Sequence, residues 1–290
     1  MTLNRPLRTW LLRIAGAVLV VCAAWFGASR LQAPSRLLQL HAAPAAERAP
    51  APPPGELTIA TANLAHGRGP TAGNFGGGGA EERAGRLRAI GRLLREHAVD
   101  VAVLNEADFD SFWSGGVDQA ALVAEEAGLP YRFEMHTMQA AVPFLKLDFG
   151  TAVISRFPLR DPELLPFPAR SRLWSAVLGH KQGGAVTVEL EAGGNFKIHA
   201  THLEHQGERW RLEAAEVMDA WIRRQALPVL AAGDFNSSQA GFPTPFAADW
   251  PRTAVSVLSD ADGPLRSLPV GPPAPGDLTF PSIRPDRVID

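Results

Sequence analysis

Five side chains able to do chemistry stand at or just past the ends of apolar runs: Asn63, Glu106, His202, Asp234 and Asn236. Asn63 closes "ELTIATANL" (56–64), Glu106 closes "VDVAVLNEAD" (99–108) and His202 closes "NFKIHATHL" (195–203). In "PVLAAGDFNSSQ" (228–239), period-2 alternation aims Asp234 and Asn236 the same way. A carboxylate set behind "VAVLN" is costly to bury alone, so it must be paired, exposed or bound to a cation. Singly, each has a plainer explanation, since Gly, Asp, Asn and Ser also favour turns. Their recurrence at matching places argues for one shared site. The set offers carboxylate and amide oxygens plus one imidazole, with no thiolate. Such donors suit Mg²⁺, Mn²⁺ or Ca²⁺ better than zinc. A lone histidine among them suits acid–base work better than ligation.

The elements that must hold these residues alternate between strands and helices. Apolar spacing predicts helices over 81–97, with Leu87, Ile90, Leu93 and Leu94 on one face, over 117–128, and over 208–225. Further strands are expected at 149–156 and 185–190. The segment "GNFGGGGA" (73–80) lacks the lysine and spacing of a phosphate-cradling loop and reads as a flexible loop. Mixed strands and helices without an internal repeat indicate one α/β domain over 56–290 with a layered sheet core. Phe109, Phe112 and Trp113 follow Glu106 closely; they could touch a base or a lipid, or belong to the core.

Together "TIATANLAHG", "DVAVLNEAD", "FGTAVISRFPL", "ATHLEH" and "VLAAGDFN" resemble the endonuclease/exonuclease/phosphatase superfamily, which includes DNase I-like nucleases, neutral sphingomyelinases and inositol polyphosphate phosphatases. The resemblance covers about residues 56–290. It implies a four-layer α/β/β/α sandwich (DNase I-like) and hydrolysis of phosphate esters with Mg²⁺ or Mn²⁺. By position, Glu106 resembles the family's metal-binding glutamate and Asn63 the asparagine supporting the same ion. Asp234 and Asn236 look like the pair that contacts the attacking water, the phosphate and, where the family site holds two ions, the second metal. His202 resembles the histidine that donates hydrogen bonds to the phosphoryl oxygens, and Thr151 stands where the family often has an asparagine that contacts phosphate. Asn105 replaces the usual glutamine before the glutamate. Asp290, in "RVID", resembles the aspartate that orients a second histidine, carried in the family by a Ser-Asp-His motif. No histidine lies beyond His205. The expectation is therefore a fragment whose C-terminal strands are missing; the alternative is a catalytically defective binding module of the same fold at the cell envelope.

The first 55 residues read differently. Arg5, Arg8 and Arg13 precede or interrupt "IAGAVLVVCAAWFGAS" (14–29), the pattern of an export signal or signal anchor. Residues 1–29 are thus expected to be a signal peptide or membrane anchor, and residues 30–55 a Pro/Ala-rich linker. The Arg excess before the apolar run places the domain outside the cytoplasm, tethered to a membrane, or secreted if the leader is removed. Cys22 is the only cysteine, so the domain has no internal disulfide. Residues 56–290 hold 22 basic and 29 acidic side chains. That balance is a poor footprint for gripping a polyanion without sequence preference. The expected partners are a phosphate-ester substrate, whether nucleic acid or phospholipid head group, and a membrane; the expected state is a monomer. The function read here is an exported, metal-dependent phosphodiesterase.

Overall fold

The computed structural model describes residues 5–42, 56–71, 73–190, 193–238 and 252–266. The chain opens with helix α1 (Arg5–Gln32), long and apolar enough to cross a membrane, with none of its most apolar stretch buried. Strand β1 (Leu38–Ala42) follows. The domain then runs β2 (Ile59–Asn63), α2 (Ala80–Glu96), β3 (Val101–Asp108), α3 (Gln119–Ala127), β4 (Tyr131–Val142) and β5 (Leu145–Ser155). Its second half is β6 (Leu159–Leu165), α4 (Arg172–Leu178), β7 (Gly183–Val188), β8 (Phe196–His202), α5 (Glu208–Ile222), β9 (Val229–Asp234) and α6 (Ala254–Ser259).

Two sheets form, in the orders β1-β4-β5-β3-β2 and β6-β7-β8-β9. Each contains one parallel pair, β2 with β3 and β8 with β9; the other pairings are antiparallel. The sheets face one another across Val101, Val103, Phe133, Val153, Val186 and Ile198. Leu87, Leu94 and Val123 of α2 and α3 cover the outer face of the first sheet, against Ala102, Leu104 and Ile154. Ala215, Met218 and Trp221 of α5 and Val257 and Leu258 of α6 cover the second. The architecture is the expected four-layer α/β/β/α sandwich. Each fully buried Leu, Ile or Phe in these layers contributes roughly 1.5–3 kcal/mol through removal from water.

Several expectations change. Residues 38–42, inside the stretch read as a linker, pair with β4 from Leu38 opposite Met135 to Ala42 opposite Tyr131. Leu38 packs on the inter-sheet core and His41 bonds Glu134 at 3.0 Å, which is why a short segment beside Pro/Ala-rich sequence joins the sheet. Residues 43–55 lie outside the described residues. Leu93 is 53% exposed and not on the buried face of α2; Gly91 takes that place against Glu126 and Val123. The glycine-rich loop is held by two arginines of α2. Arg83 donates to the carbonyls of His66, Asn74 and Gly78, and Arg86 to those of Gly67 and Gly77.

Strand β4 buries a polar network. His136 Nδ1 donates to Asp148 Oδ1 at 2.8 Å, and its Nε2 lies 3.4 Å from Glu134 Oε2. Arg132 and His41 bind the same Glu134, and Lys146 lies 3.3 Å from Asp148. Burial alone would lower the His136 imidazole, but the hydrogen bonds and charges of Asp148 and Glu134 raise it from 6.5 to about 9. A pKa raised by folding gives stability that is complete below pH 6.5 and is lost as pH climbs through about 9. At about 1.4 kcal/mol per unit the contribution is on the order of 3 kcal/mol. The gap in urea-unfolding stability between wild type and His136→Gln should therefore narrow from pH 6 to pH 9.5, and a constant gap would contradict the assignment.

Candidate active site

The two parallel pairs explain why distant residues meet. Parallel neighbours end at the same edge, so Asn63 falls opposite Asn105 and His202 opposite Asp234. The two sheets then stack these edges together. Asn105, fully buried on β3, donates to the Thr201 carbonyl at 2.8 Å and accepts from the Asp234 backbone N–H at 2.9 Å, tying the first sheet to β8 and β9. Gly233 holds φ +128 beside this latch; a Cβ there would collide with the Thr201 carbonyl and press within 3.0 Å of Asn105 Oδ1.

Glu106 reaches the site through a bulge. The register of β3 against β5 shifts between Asn105 and Ala107, and Glu106 has φ +50. Without that extra residue, Glu106 would follow Ala102 and Leu104 into the helix-facing core. With it, Ala107 takes the core position and the Glu106 carboxylate stays 27% exposed. A left-handed non-glycine residue costs about 1–2 kcal/mol, and here that strain aims a carboxylate at open space.

Asn63 Nδ2 donates to Glu106 Oε1 at 3.2 Å and to Asp234 Oδ2 at 3.0 Å, while its Oδ1 accepts from the Ala65 N–H. Expected as support for a metal ion, Asn63 here clasps the two carboxylates and turns its own oxygen away. Asp234 is 3% exposed and accepts the Asn236 N–H at 2.9 Å. Burial raises its carboxyl, opposed by Lys181, Asn63 and the Asn236 N–H. Asn236 holds φ +48 and donates its amide to the Leu203 carbonyl at 3.2 Å.

His202 Nε2 lies 3.9 Å from both Glu106 Oε1 and Asp234 Oδ2. It accepts a hydrogen bond from Lys181 Nζ at 2.7 Å. Burial, then the charges of Lys181, His205 and His66, hold the imidazole well below its usual value. His202 is thus a neutral acceptor in this arrangement, with Lys181 as its donor. Lys181 also donates to the Leu203 carbonyl at 2.7 Å; burial lowers its ammonium while Asp234, Glu204 and Glu106 oppose the shift.

Two further residues, not singled out from sequence, belong here. His66 Nδ1 donates to buried Asp108 at 2.9 Å, and its Nε2 faces Glu106 Oε2 at 3.6 Å. The imidazole is wedged against Trp113 and Phe149, with centroids at 5.0 and 4.9 Å, and Trp113 Nε1 donates to Asp108. Trp113 is therefore part of the site's frame. Thr151, expected as a phosphate contact, is 1% exposed and accepts from Asn105 Nδ2 at 3.3 Å; it sits beneath the site because Asn105 covers it. Asp290 lies outside the described residues.

Beside these groups opens a cavity of about 610 Å³, lined by His66, Glu106, Lys181 and His202 and walled by Phe149 and Trp174. Among the described residues no three His, Cys, Asp or Glu side chains converge as a ready metal cluster. The donor chemistry still fits one hard divalent cation: an open carboxylate of Glu106 next to the Asp234 carboxylate that Asn63 holds alongside it.

The Endonuclease/Exonuclease/phosphatase family model matches residues 60–288. The chain belongs to that family. No curated protein sequence matches the chain. Among solved structures, the family member from Beutenbergia cavernae is 22% identical, with a TM-score of 0.45 over 62% of this chain and 47% of that one. This chain therefore spans about half the length of that protein. The Bacteroides thetaiotaomicron mannosyl-6-phosphatase is 17% identical (TM-score 0.40; 63% and 67% covered). The D. rerio TDP2 complexed with a single-strand DNA product is also 17% identical (TM-score 0.42; 63% and 62% covered). The family members are hydrolases acting on phosphate esters, on a DNase I-like fold.

Replacing Asn105 by leucine keeps the branched shape, adds bulk, and strands the Thr201 carbonyl and the Asp234 N–H. Each unmatched buried group costs about 1–3 kcal/mol. Asn105→Leu should therefore lose about 2–4 kcal/mol in urea unfolding, and a loss under about 1 kcal/mol would show that the latch carries no strain between the sheets.

Proposed function

We propose that the protein is a metal-dependent phosphodiesterase, exported and tethered to a membrane by α1. The observation that carries this reading is the meeting of Glu106, Asp234, His202 and Lys181 at the paired strand ends, beside an open cavity, in a chain of a phosphoesterase family. Glu106 would be the principal ligand of one Mg²⁺ or Mn²⁺, with Asp234 beside it. Such an ion, when bound, polarises the phosphoryl oxygens and stabilises the leaving oxygen.

The chain's own groups do the rest. Lys181, pinned by His202 and the Leu203 carbonyl, presents its remaining hydrogen to a phosphoryl oxygen. Asp234, fixed by Asn63 and the Asn236 N–H, orients the attacking water and accepts its proton. His202 holds Lys181 and stays neutral, so it adds no competing charge. His66, backed by Asp108, fixes the far side of the Glu106 carboxylate. The acidic balance of residues 56–290 leans away from a nuclease that grips many phosphates. Arg5 and Arg8, in the first turns of α1 ahead of its apolar run, favour a domain outside the cytoplasm.

Calorimetric titration with Mn²⁺ should show one site that Glu106→Gln weakens at least about tenfold, or 1.4 kcal/mol. Unchanged affinity would remove Glu106 from the ion.

Hydrolysis of bis-(4-nitrophenyl) phosphate should require Mg²⁺ or Mn²⁺. It should fall about a hundredfold in Asp234→Asn and in Lys181→Met, the loss typical of one preorganised group. Wild-type rates in both variants, with native circular dichroism, would overturn the site.

A further inference from the structure

Outside α1, eight large apolar side chains are exposed among the described residues, and six gather around the C-terminal end of that helix. Phe112, Phe144 and Leu145 line a cleft of about 640 Å³ with Trp25 and Ala28 of α1. Phe75 reaches the same patch, its ring 6.2 Å from that of Phe112. Leu173 and Trp174 stand on α4, whose Ala176 carbonyl accepts from Arg30 of α1 at 3.0 Å. Phe144, at the tip of the β4–β5 hairpin, has no cover at all. Clustered apolar exposure of this kind marks an interaction surface, unlike single exposed leucines.

The length of α1 says what covers the patch. Its 28 residues extend about 42 Å. A hydrocarbon core of about 30 Å takes up about 20 of them, from Trp10 to about Ala28, with Arg5 and Arg8 left on its other side. The residues left over are the ones that touch the domain. Ser29 Oγ accepts from the Ala141 N–H at 3.1 Å, and Arg30 donates to the carbonyls of Gln139 and Ala176. Trp25, one turn inside that boundary, is the residue type favoured at a membrane interface. Arg36 lines the same cleft, where Lys146 is paired with Asp110 and Asp148, and Arg172 adjoins Leu173; Arg36 and Arg172 complement anionic head groups. The collar of apolar tips is thus continuous with a helix already suited to lipid.

The catalytic cavity lies next to that collar. Trp174 belongs to both, and Met138 of β4 lines the cavity three residues before Ala141 meets α1. Three strand residues span about 10 Å. We propose that this collar seats the domain on a phospholipid bilayer with the cavity mouth facing it, so that the phosphodiester enters as a lipid head group still anchored in the membrane. The substrate half rests on the phosphodiesterase reading above; the docking half rests on α1 and the collar alone.

The test uses the full chain with Cys22→Ala in nanodiscs of phosphatidylcholine and phosphatidylglycerol. A bimane label at Phe144→Cys, and separately at Leu173→Cys, should be quenched at least about twofold by doxyl-labelled lipids. A label at Arg92→Cys, near Glu126 and so at the far end of β4, should not be. Equal signals at all three positions overturn the docking. In vesicles, Phe144→Ser combined with Leu145→Ser should lower phospholipid hydrolysis at least about tenfold while leaving hydrolysis of bis-(4-nitrophenyl) phosphate unchanged. Hydrolysis of the soluble ester without any of phospholipid, or faster cleavage of single-stranded DNA than of lipid, overturns the substrate half alone. Hydrolysis of neither ester defeats the phosphodiesterase reading, while the quenching still decides the docking.

Discussion

The site depends on one buried amide. Asn105 spans the gap between the sheets, satisfying a carbonyl of β8 and an N–H of β9 while Thr151 braces it from below. A hydrophobic core is non-directional and lets two sheets slide by fractions of an ångström. Hydrogen bonds are directional, and an unmatched one inside a core is expensive. Asn105 therefore converts loose stacking into fixed registry, at the edge where Glu106 and Asp234 must lie side by side. Its neighbours serve the same registry. Gly233 lets β9 pass close to Thr201, and the bulge lets Glu106 leave the core while Ala107 takes its place there.

Charge at the site follows from that registry. Glu106 and Asp234 share the amide of Asn63, which holds two anions closer than they would stay unaided. Lys181 answers part of that negative charge, but it is pinned by His202 and Leu203 and its ammonium is weakened by burial. Glu204 adds to the anionic side. Burial would raise it, but the hydrogen bond from His205 and the charge of Lys181 hold it down at about 2. A group of anions with one weakened, fixed cation is poised to gain from a further positive charge. A divalent ion supplies it without the desolvation cost that another buried ammonium would bring.

How much of this was legible in the sequence differs from element to element. The strands ending in Asn63, Glu106, His202 and Asp234 were readable because each is an apolar, β-branched run that stops at a polar residue. Strand β4 was not, because "YRFEMHTMQAAV" buries Glu134, His136, Thr137 and Gln139 in its own network and so hides the alternation. Lys181 sits in "GHKQGG", where a lone lysine reads as solvated surface; only the antiparallel pairing of β7 with β8 carries it onto His202. His66 and Asp108 lie 42 residues apart in sequence and meet through a left-handed turn at Ala65 and His66 that no pattern announces. Thr151 failed in the opposite way: its position matched the family's phosphate-contacting residue, but the shorter Asn105 side chain lies over it.

Strand β4 also joins the two halves of the functional argument. Its first half packs the inter-sheet core through Phe133 and Met135, its middle lines the cavity at Thr137 and Met138, and its end receives α1 at Ala141. A strand in a sheet is stiff along its length, since each residue is held by ladder hydrogen bonds to both neighbours. Here β5 flanks its whole length and β1 its first half, from Tyr131 to Met135, and β1 is the segment that follows α1 in the chain. The helix is therefore attached to the sheet twice, once through β1 and once through its own C-terminal turn, with no loose hinge between them. A rigid double attachment of that kind fixes the angle between helix and cavity. A free linker would have let the site face any direction, and the short, paired strand in its place is what gives the cavity one orientation relative to α1.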